Sequence, residues 1–202
     1  MDAHPPAPTG STPEPRRRAL ILGVLAVVVA VIALLVVGLL NRGAQGFPLR
    51  ILPESERPAA PSLSLPLLSD DPTLGTSGTL VELSAFRGRP VILNFWFSDC
   101  DPCRDEAPAL RELQIAKPKD VLLLGVNVRD LTEDARAFMV RYRLNYPSVR
   151  DRDDRAYRDY RLTGYPETFV IDRAGRLAAH ISGPIDGPEQ ARLLARALVA
   201  VT

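Results

Sequence analysis

Residues 90–106 read PVILNFWFSDCDPCRDE, and this stretch decides the fold. Its first half, 90–97, is a continuous apolar run, the pattern of a strand buried on both faces. Its second half carries acidic residues into the first turns of a helix expected over 101–117, with Pro108 as a kink. Both cysteines of the chain, Cys100 and Cys103, therefore stand three apart where a buried strand gives way to a helix N-terminus. Such a terminus offers unsatisfied N–H groups and the positive end of the helix dipole, and both stabilise a thiolate. Cys100 is expected at the exposed mouth as the nucleophile. Cys103, one turn on, can resolve a mixed disulfide. A purely structural bridge closing so short a loop is worth only about 2 kcal/mol, so redox use is the stronger reading. Two thiols alone make an incomplete metal site, and no metal is expected.

Outward from that stretch, strands and helices alternate. Residues 62–68 and 79–83 alternate apolar with polar around Gly75 and Gly78, which suggests a hairpin. VLLLGVNV, 121–128, is a second buried strand. Asp130 or Thr132 is expected to cap the next helix, whose Ala135, Phe138, Met139 and Tyr142 share one packing face. Residues 151–163 are dense in opposite charges and read as a short solvated helix. Strands at 168–172 and 176–182 turn at Ala174-Gly175, and an amphipathic helix opening near Pro188 closes the chain. This order predicts an α/β domain with helices on both faces of a sheet. His180, on an alternating strand, is expected to be a packed or surface histidine.

The N-terminal third is different in kind. Residues 19–40, ALILGVLAVVVAVIALLVVGLL, carry no charged or amide side chain. As a helix they span about 33 Å, enough for a bilayer core of about 30 Å, and they exceed the usual length of a cleaved signal h-region. A transmembrane anchor is expected there. Arg16, Arg17 and Arg18 before it, against the sparser Arg42 and Arg50 after it, place residues 1–18 in the cytoplasm as a disordered tail. Residues 41–60, with Pro48, Pro53 and Pro58, are expected to be a linker, and 61–202 the globular domain. The partition is thus 1–18, 19–40, 41–60 and 61–202.

Composition excludes several classes. A formal net charge of +1 over 202 residues removes the electrostatic case for nucleic-acid binding. Two cysteines and two histidines exclude a disulfide-rich scaffold and a self-contained zinc site.

RGRPVILNFWFSDCDPCRDEAP, GVNVRD and GYPETFVIDRAGR, in that order, resemble the bacterial membrane-anchored thiol-disulfide oxidoreductases of the TlpA/ResA/CcmG (DsbE) kind. The resemblance covers residues 60–200. It implies a thioredoxin-like fold: a central mixed sheet with helices on both faces, an N-terminal hairpin and a helical insert over 130–162, preceded by one transmembrane helix. It implies Cys100 as attacking thiol, Cys103 as resolving thiol and Pro166 as the cis-proline that flanks the disulfide. Trp96, Tyr165, Pro166 and Glu167 become the substrate-facing set. In thioredoxin a buried aspartate stands six residues before the first cysteine. Here that position is Asn94, so the proton role passes to Glu106, with Glu167 as a second candidate. No cofactor beyond the Cys100–Cys103 pair is implied.

Where the family usually has an aromatic residue before the first cysteine, this chain has Asp99. With Pro102 it belongs to the residues that tune the pair. Asp99 and Asp101 flank Cys100 and disfavour its thiolate, so a reducing pair is expected. The family implies protein disulfide substrates, apocytochrome c among them, and electrons from a membrane thiol transporter of the DsbD/CcdA type. Three alternatives stand beside cytochrome c maturation: a reductase for another extracytoplasmic thiol protein, a disulfide-donating oxidase, and a non-enzymatic thioredoxin-like binding module. The Cys-x-x-Cys pair argues against the peroxidases of this fold, which use a lone cysteine.

Overall fold

The computed structural model describes residues 15–43, 50–117 and 119–202. The chain divides into two compact units, Met1–Gly46 and Phe47–Thr202.

The first unit contains helix α1, Pro15–Gly43. Within it Ala19–Val37 has a mean hydropathy of 3.5 and is nowhere buried, so the helix is long and apolar enough to cross a membrane. The helix overruns the expected span at both ends. Residues 15–18, expected in the disordered tail, and 41–43, expected in the linker, continue it, because propagation adds one hydrogen bond per residue once a helix is nucleated. The rest of the expected tail, 1–14, and linker residues 44–49 lie outside the described residues.

The second unit is built on a six-stranded sheet. Its strands are β1 (Arg50–Ile51), β4 (Val91–Trp96), β5 (Leu122–Val128), β6 (Ser148–Asp151), β7 (Glu167–Ile171) and β8 (Leu177–Ser182), in the order β1-β8-β7-β4-β5-β6. β4, β5 and β6 are parallel, and β7, β8 and β1 add antiparallel neighbours on the other side. The expected hairpin forms from β2 (Ser64–Pro66) and β3 (Leu80–Glu82). Helices α2 (Asp101–Ala116), α3 (Thr132–Tyr142), α4 (Arg155–Asp159) and α5 (Pro188–Val199) complete the unit.

Central strands β4 and β5 are buried at every position, as their largely apolar runs require, with Asn94 and Asn127 the polar exceptions. Ile92, Leu123 and Val170 pack under Leu110 of α2 and Leu194 and Leu198 of α5. Trp96, on the same side of β4 as Ile92, packs under Ala135 and Phe138 of α3. Leu93, Phe95 and Phe169 face the other way, against Leu63 and Val81 of the hairpin region and Ala156 and Tyr160 around α4. Helices thus cover both faces, three on one and the short α4 on the other.

The linker expected over 41–60 is partly structural. β1 pairs with β8, Arg50 opposite His180, and Ala59 bridges to Arg176. The guanidinium of Arg57 donates to Asp172 Oδ2 at 3.3 Å and to the carbonyls of Leu52 and Ala200. The prolines there do not prevent this, because a two-residue edge strand fits between them. The domain therefore begins before residue 61.

Candidate active site

The sheet delivers β4 into a tight loop, and α2 starts immediately after it. Cys100 is the N-cap of α2, and the Cys103 N–H donates to its sulfur at 3.2 Å. The two are joined as a disulfide, with Cα atoms 5.2 Å apart. Cys100 is 4% exposed and Cys103 2%, so the exposed mouth expected for Cys100 is nearly closed while the bond is formed. Phe138 and Met139 of α3 and Tyr165 crowd the same cluster.

The loop is fastened from below. Neither Asp130 nor Thr132, the expected caps of α3, takes that place: the cap residue is Leu131, which makes no side-chain bond, and Thr132 is the first residue of the helix. The Asp130 carboxylate instead accepts from the Ser98 N–H (2.8 Å), the Ser98 hydroxyl (2.7 Å) and Asn127 Nδ2 (2.6 Å). It ties the cysteine-bearing loop to the end of β5. The only sequence sign of this role was the position of Asp130 at the end of GVNVRD.

Asp99 and Asp101 are exposed, and Arg104 forms an ion pair with Asp101. The pairing offsets part of the negative field expected to oppose a Cys100 thiolate, and it weakens the electrostatic case for a strongly reducing pair. Pro102 is exposed at the head of α2, a position that tolerates proline because no N–H is needed there. Ser98, Asp99 and Arg104 share an open groove of about 410 Å³ with Asp134, Phe138 and Arg141 of α3.

Glu106 lies one turn beyond Cys103 on α2 and is 1% exposed. Its carboxyl accepts from Asn94 Nδ2 at 2.8 Å and from the Ile185 N–H at 3.0 Å. Burial pushes its pKa up to about 7, against the lowering effect of these two bonds. Asn94 Nδ2 also reaches Thr168 Oγ1 at 3.2 Å. The position that holds an acid in thioredoxin here holds an amide that grips one.

On the other side of the pair, the Tyr165–Pro166 peptide is cis. Pro166 is buried and Tyr165 half-buried, with its ring edge-on to Phe97 at 5.1 Å. Arg129 lies over the rings of both Tyr157 and Tyr165, at 5.2 and 5.5 Å.

Two of the expected substrate contacts are corrected. Trp96 is 1% exposed and stacked on Phe138 at 4.9 Å, so it is packing beneath the disulfide. Glu167 is wholly buried, its carboxylate taken up by donors of the protein itself. Its Oε1 accepts from the Thr163 N–H (2.7 Å), the Thr163 hydroxyl (2.8 Å) and the Gly164 N–H (2.9 Å). Its Oε2 meets His180 Nε2 at 2.7 Å. Burial raises its pKa, but the bonds from His180, Thr163 and Gly164 outweigh that and hold it below the usual value. A carboxyl held ionised in this way is poorly suited to pass protons near neutral pH.

The described geometry joins Cys100 to Cys103, sets Glu106 one turn on along α2, and packs Tyr165, cis to Pro166, against the cysteine cluster. It assigns Trp96 and Glu167 to the supporting frame and adds Asn94, Asp130, Phe138 and His180.

Comparison with known proteins agrees with this architecture. The family model described as AhpC/TSA matches residues 57–180. The chain is 39% identical over 102 residues to the thiol-disulfide oxidoreductase ResA of Geobacillus kaustophilus, covering 50% of this chain and 59% of that one. It is 36% identical over 157 residues to the thiol:disulfide interchange protein DsbE of Allochromatium vinosum, covering 77% and 82%. The match to ResA thus spans about three fifths of that relative's length. Among solved structures, a secreted thiol-disulfide isomerase from Corynebacterium glutamicum superposes with a TM-score of 0.63 at 30% identity, covering 76% of this chain and 91% of that one.

Proposed function

The chain belongs to the AhpC/TSA family, and from that membership and the dithiol site we propose that it is a membrane-anchored, extracytoplasmic thiol-disulfide oxidoreductase that reduces protein disulfides. The observation that carries the reading is the Cys100–Cys103 disulfide at the head of α2, with a neutral-range carboxyl one turn on at Glu106. The names of ResA and DsbE support the same chemistry.

In the reduced protein the Cys100 thiolate attacks one sulfur of a substrate disulfide. A bond forms between Cys100 and that sulfur, and the other substrate sulfur leaves as a thiolate and takes up a proton. Glu106, ionised, accepts the proton of Cys103. The Cys103 thiolate then attacks Cys100 Sγ and expels the second substrate sulfur. Two electrons have passed to the substrate, and the Cys100–Cys103 disulfide is restored. The backbone at Tyr165–Pro166 lies alongside the substrate strand. A membrane thiol donor of the DsbD/CcdA type must then reduce the pair again.

The family resemblance favours the haem-attachment cysteines of apocytochrome c as substrate. The apolar α1 supplies the anchor, with its arginine-flanked N-terminus cytoplasmic.

The test is the reduction potential of the full-length chain in detergent micelles, read from the single Trp96 during equilibration with dithiothreitol. A value at or below about −220 mV supports a reductase, and one near −120 mV makes it a disulfide donor. A Cys100→Ser chain that still sustains cytochrome c assembly would instead support the binding-module alternative.

A further inference from the structure

The exchange chemistry proposed above makes no use of Glu167, although it is a charge wholly buried beside the substrate-facing turn. An ionised carboxylate out of water must have its oxygens satisfied by donors. Oε1 takes three donors, all from Thr163 and Gly164, the residues that lead into Tyr165–Pro166. For Oε2 the donor is His180 Nε2 at 2.7 Å, reaching over from β8. A carboxylate only accepts, so Nε2 carries the hydrogen. The imidazole is aimed by its neighbour on β7: it stacks on Phe169 with centroids 4.3 Å apart and planes 8° from parallel.

We infer that His180 is a positioning residue, acting through the Glu167 carboxylate to hold the backbone of residues 163–166 in the shape that meets a substrate strand. The inference rests on the thiol-disulfide exchange reading, since it is the substrate of that reaction which the turn would receive. Its physical basis is separate. Without the His180 N–H, one oxygen of a buried carboxylate loses its donor. The carboxyl must then turn towards water or take up a proton, and either change loosens its hold on the Thr163 and Gly164 amides. His180 itself is partly exposed, with 40% of its side chain accessible, so substitution there leaves the central strands undisturbed.

Two variants of the full-length chain in detergent micelles separate the hydrogen bond from the stacking. His180→Phe keeps a ring against Phe169 and removes the donor. His180→Gln removes the ring and keeps a donor. The first readout is hydrogen exchange at the Thr163 and Gly164 amides, with the amides of β4 and β5 as the control for intact folding. The second is KM against kcat for reduction of a peptide disulfide.

His180→Phe is expected to speed exchange at Thr163 and Gly164 by about tenfold or more, the scale set by losing a hydrogen bond to a charged group. It is also expected to raise KM several-fold with kcat little changed. His180→Gln restores both. Wild-type behaviour of His180→Phe, or equal damage in both variants, would make His180 a packing residue and overturn the inference. A wild-type chain that reduces no disulfide counts against the proposed function, while the exchange data still decide the role of His180.

Discussion

At the scale of single residues, the sharpest consequence belongs to Glu106. Its pKa rises from 4.5 to about 7 because burial disfavours its charge more than Asn94 and Ile185 favour it. Between those values the folded chain retains a proton that the unfolded chain has lost. Stability from this group is therefore full below about pH 4.5 and declines as pH rises towards about 7, by about 3 kcal/mol in all. Glu106→Gln carries no charge to bury, so its urea midpoint should gain on the wild type between about pH 5 and about pH 8. A wild-type midpoint that stays level relative to the variant over that range would contradict the buried acid. The same group should shape the kinetics. Resolution by Cys103 should quicken through about pH 7 as Glu106 ionises, and in Glu106→Gln that inflection should vanish with a slowing on the order of a hundredfold. Stopped-flow Trp96 fluorescence measures both. The cysteines were legible in the sequence because their spacing sets them at a strand-to-helix junction, and Glu106 because the family resemblance singles it out. The Asp130–Ser98 and Glu167–His180 pairs were not, because each joins residues of different elements and depends on which strands become neighbours.

At the scale of elements, continuous apolar runs marked β4 and β5, and alternation marked the hairpin, because burial on two faces or on one writes a direct pattern into the chain. β6 left no such mark. Ser148-Val149-Arg150-Asp151 is half charged, and it is a strand because β5 offers it a parallel partner, Gly125 opposite Ser148. That pairing explains why β5 has a glycine at its centre. A Cβ on Gly125 would stand 2.8 Å from Trp96 Nε1 and closer still to Ser148 Oγ. Gly125→Val should therefore cost about 1–3 kcal/mol through overpacking and should change the emission of Trp96 by pressing on its indole. Loss of stability with an unaltered emission spectrum would mean that the strain is relieved on the β6 side alone. Gly175 is required for a different reason: it holds φ at +72° in the turn before β8, as the Ala174-Gly175 signal anticipated.

At the scale of the whole molecule, the sequence pattern located the apolar helix and the α/β domain but misjudged where the domain starts. Proline spacing suggested a free linker to residue 60, and a two-residue edge strand is too short to leave a periodic signal. What ties the segment down is tertiary: β1 against β8, and Arg57 against Asp172, both nearly sealed from solvent at 7% and 6% side-chain exposure. Burial raises the Asp172 pKa, but the Arg176 N–H and the Arg57 and Arg176 guanidinium groups more than reverse this and hold it below 3.8. A fragment beginning at Pro61 lacks Arg57 and leaves Asp172 with Arg176 as its remaining cation, at 3.3 Å. It should be less stable than a fragment beginning at Phe47 by about 2–3 kcal/mol near neutral pH, somewhat less than the full loss of a buried pair because Arg176 stays. The sign with pH follows from the lowered carboxyl. The stabilisation is present above the ordinary value of 3.8 and is lost as pH falls through the folded-state value, so the gap between the fragments should narrow in acid. Urea midpoints of the two fragments, taken near neutrality and again below about pH 4, test both parts. Equal stability near neutrality would return residues 50–60 to the role of a tether, whereas a gap that persists unchanged in acid would assign the stabilisation to β1 rather than to the Arg57–Asp172 pair.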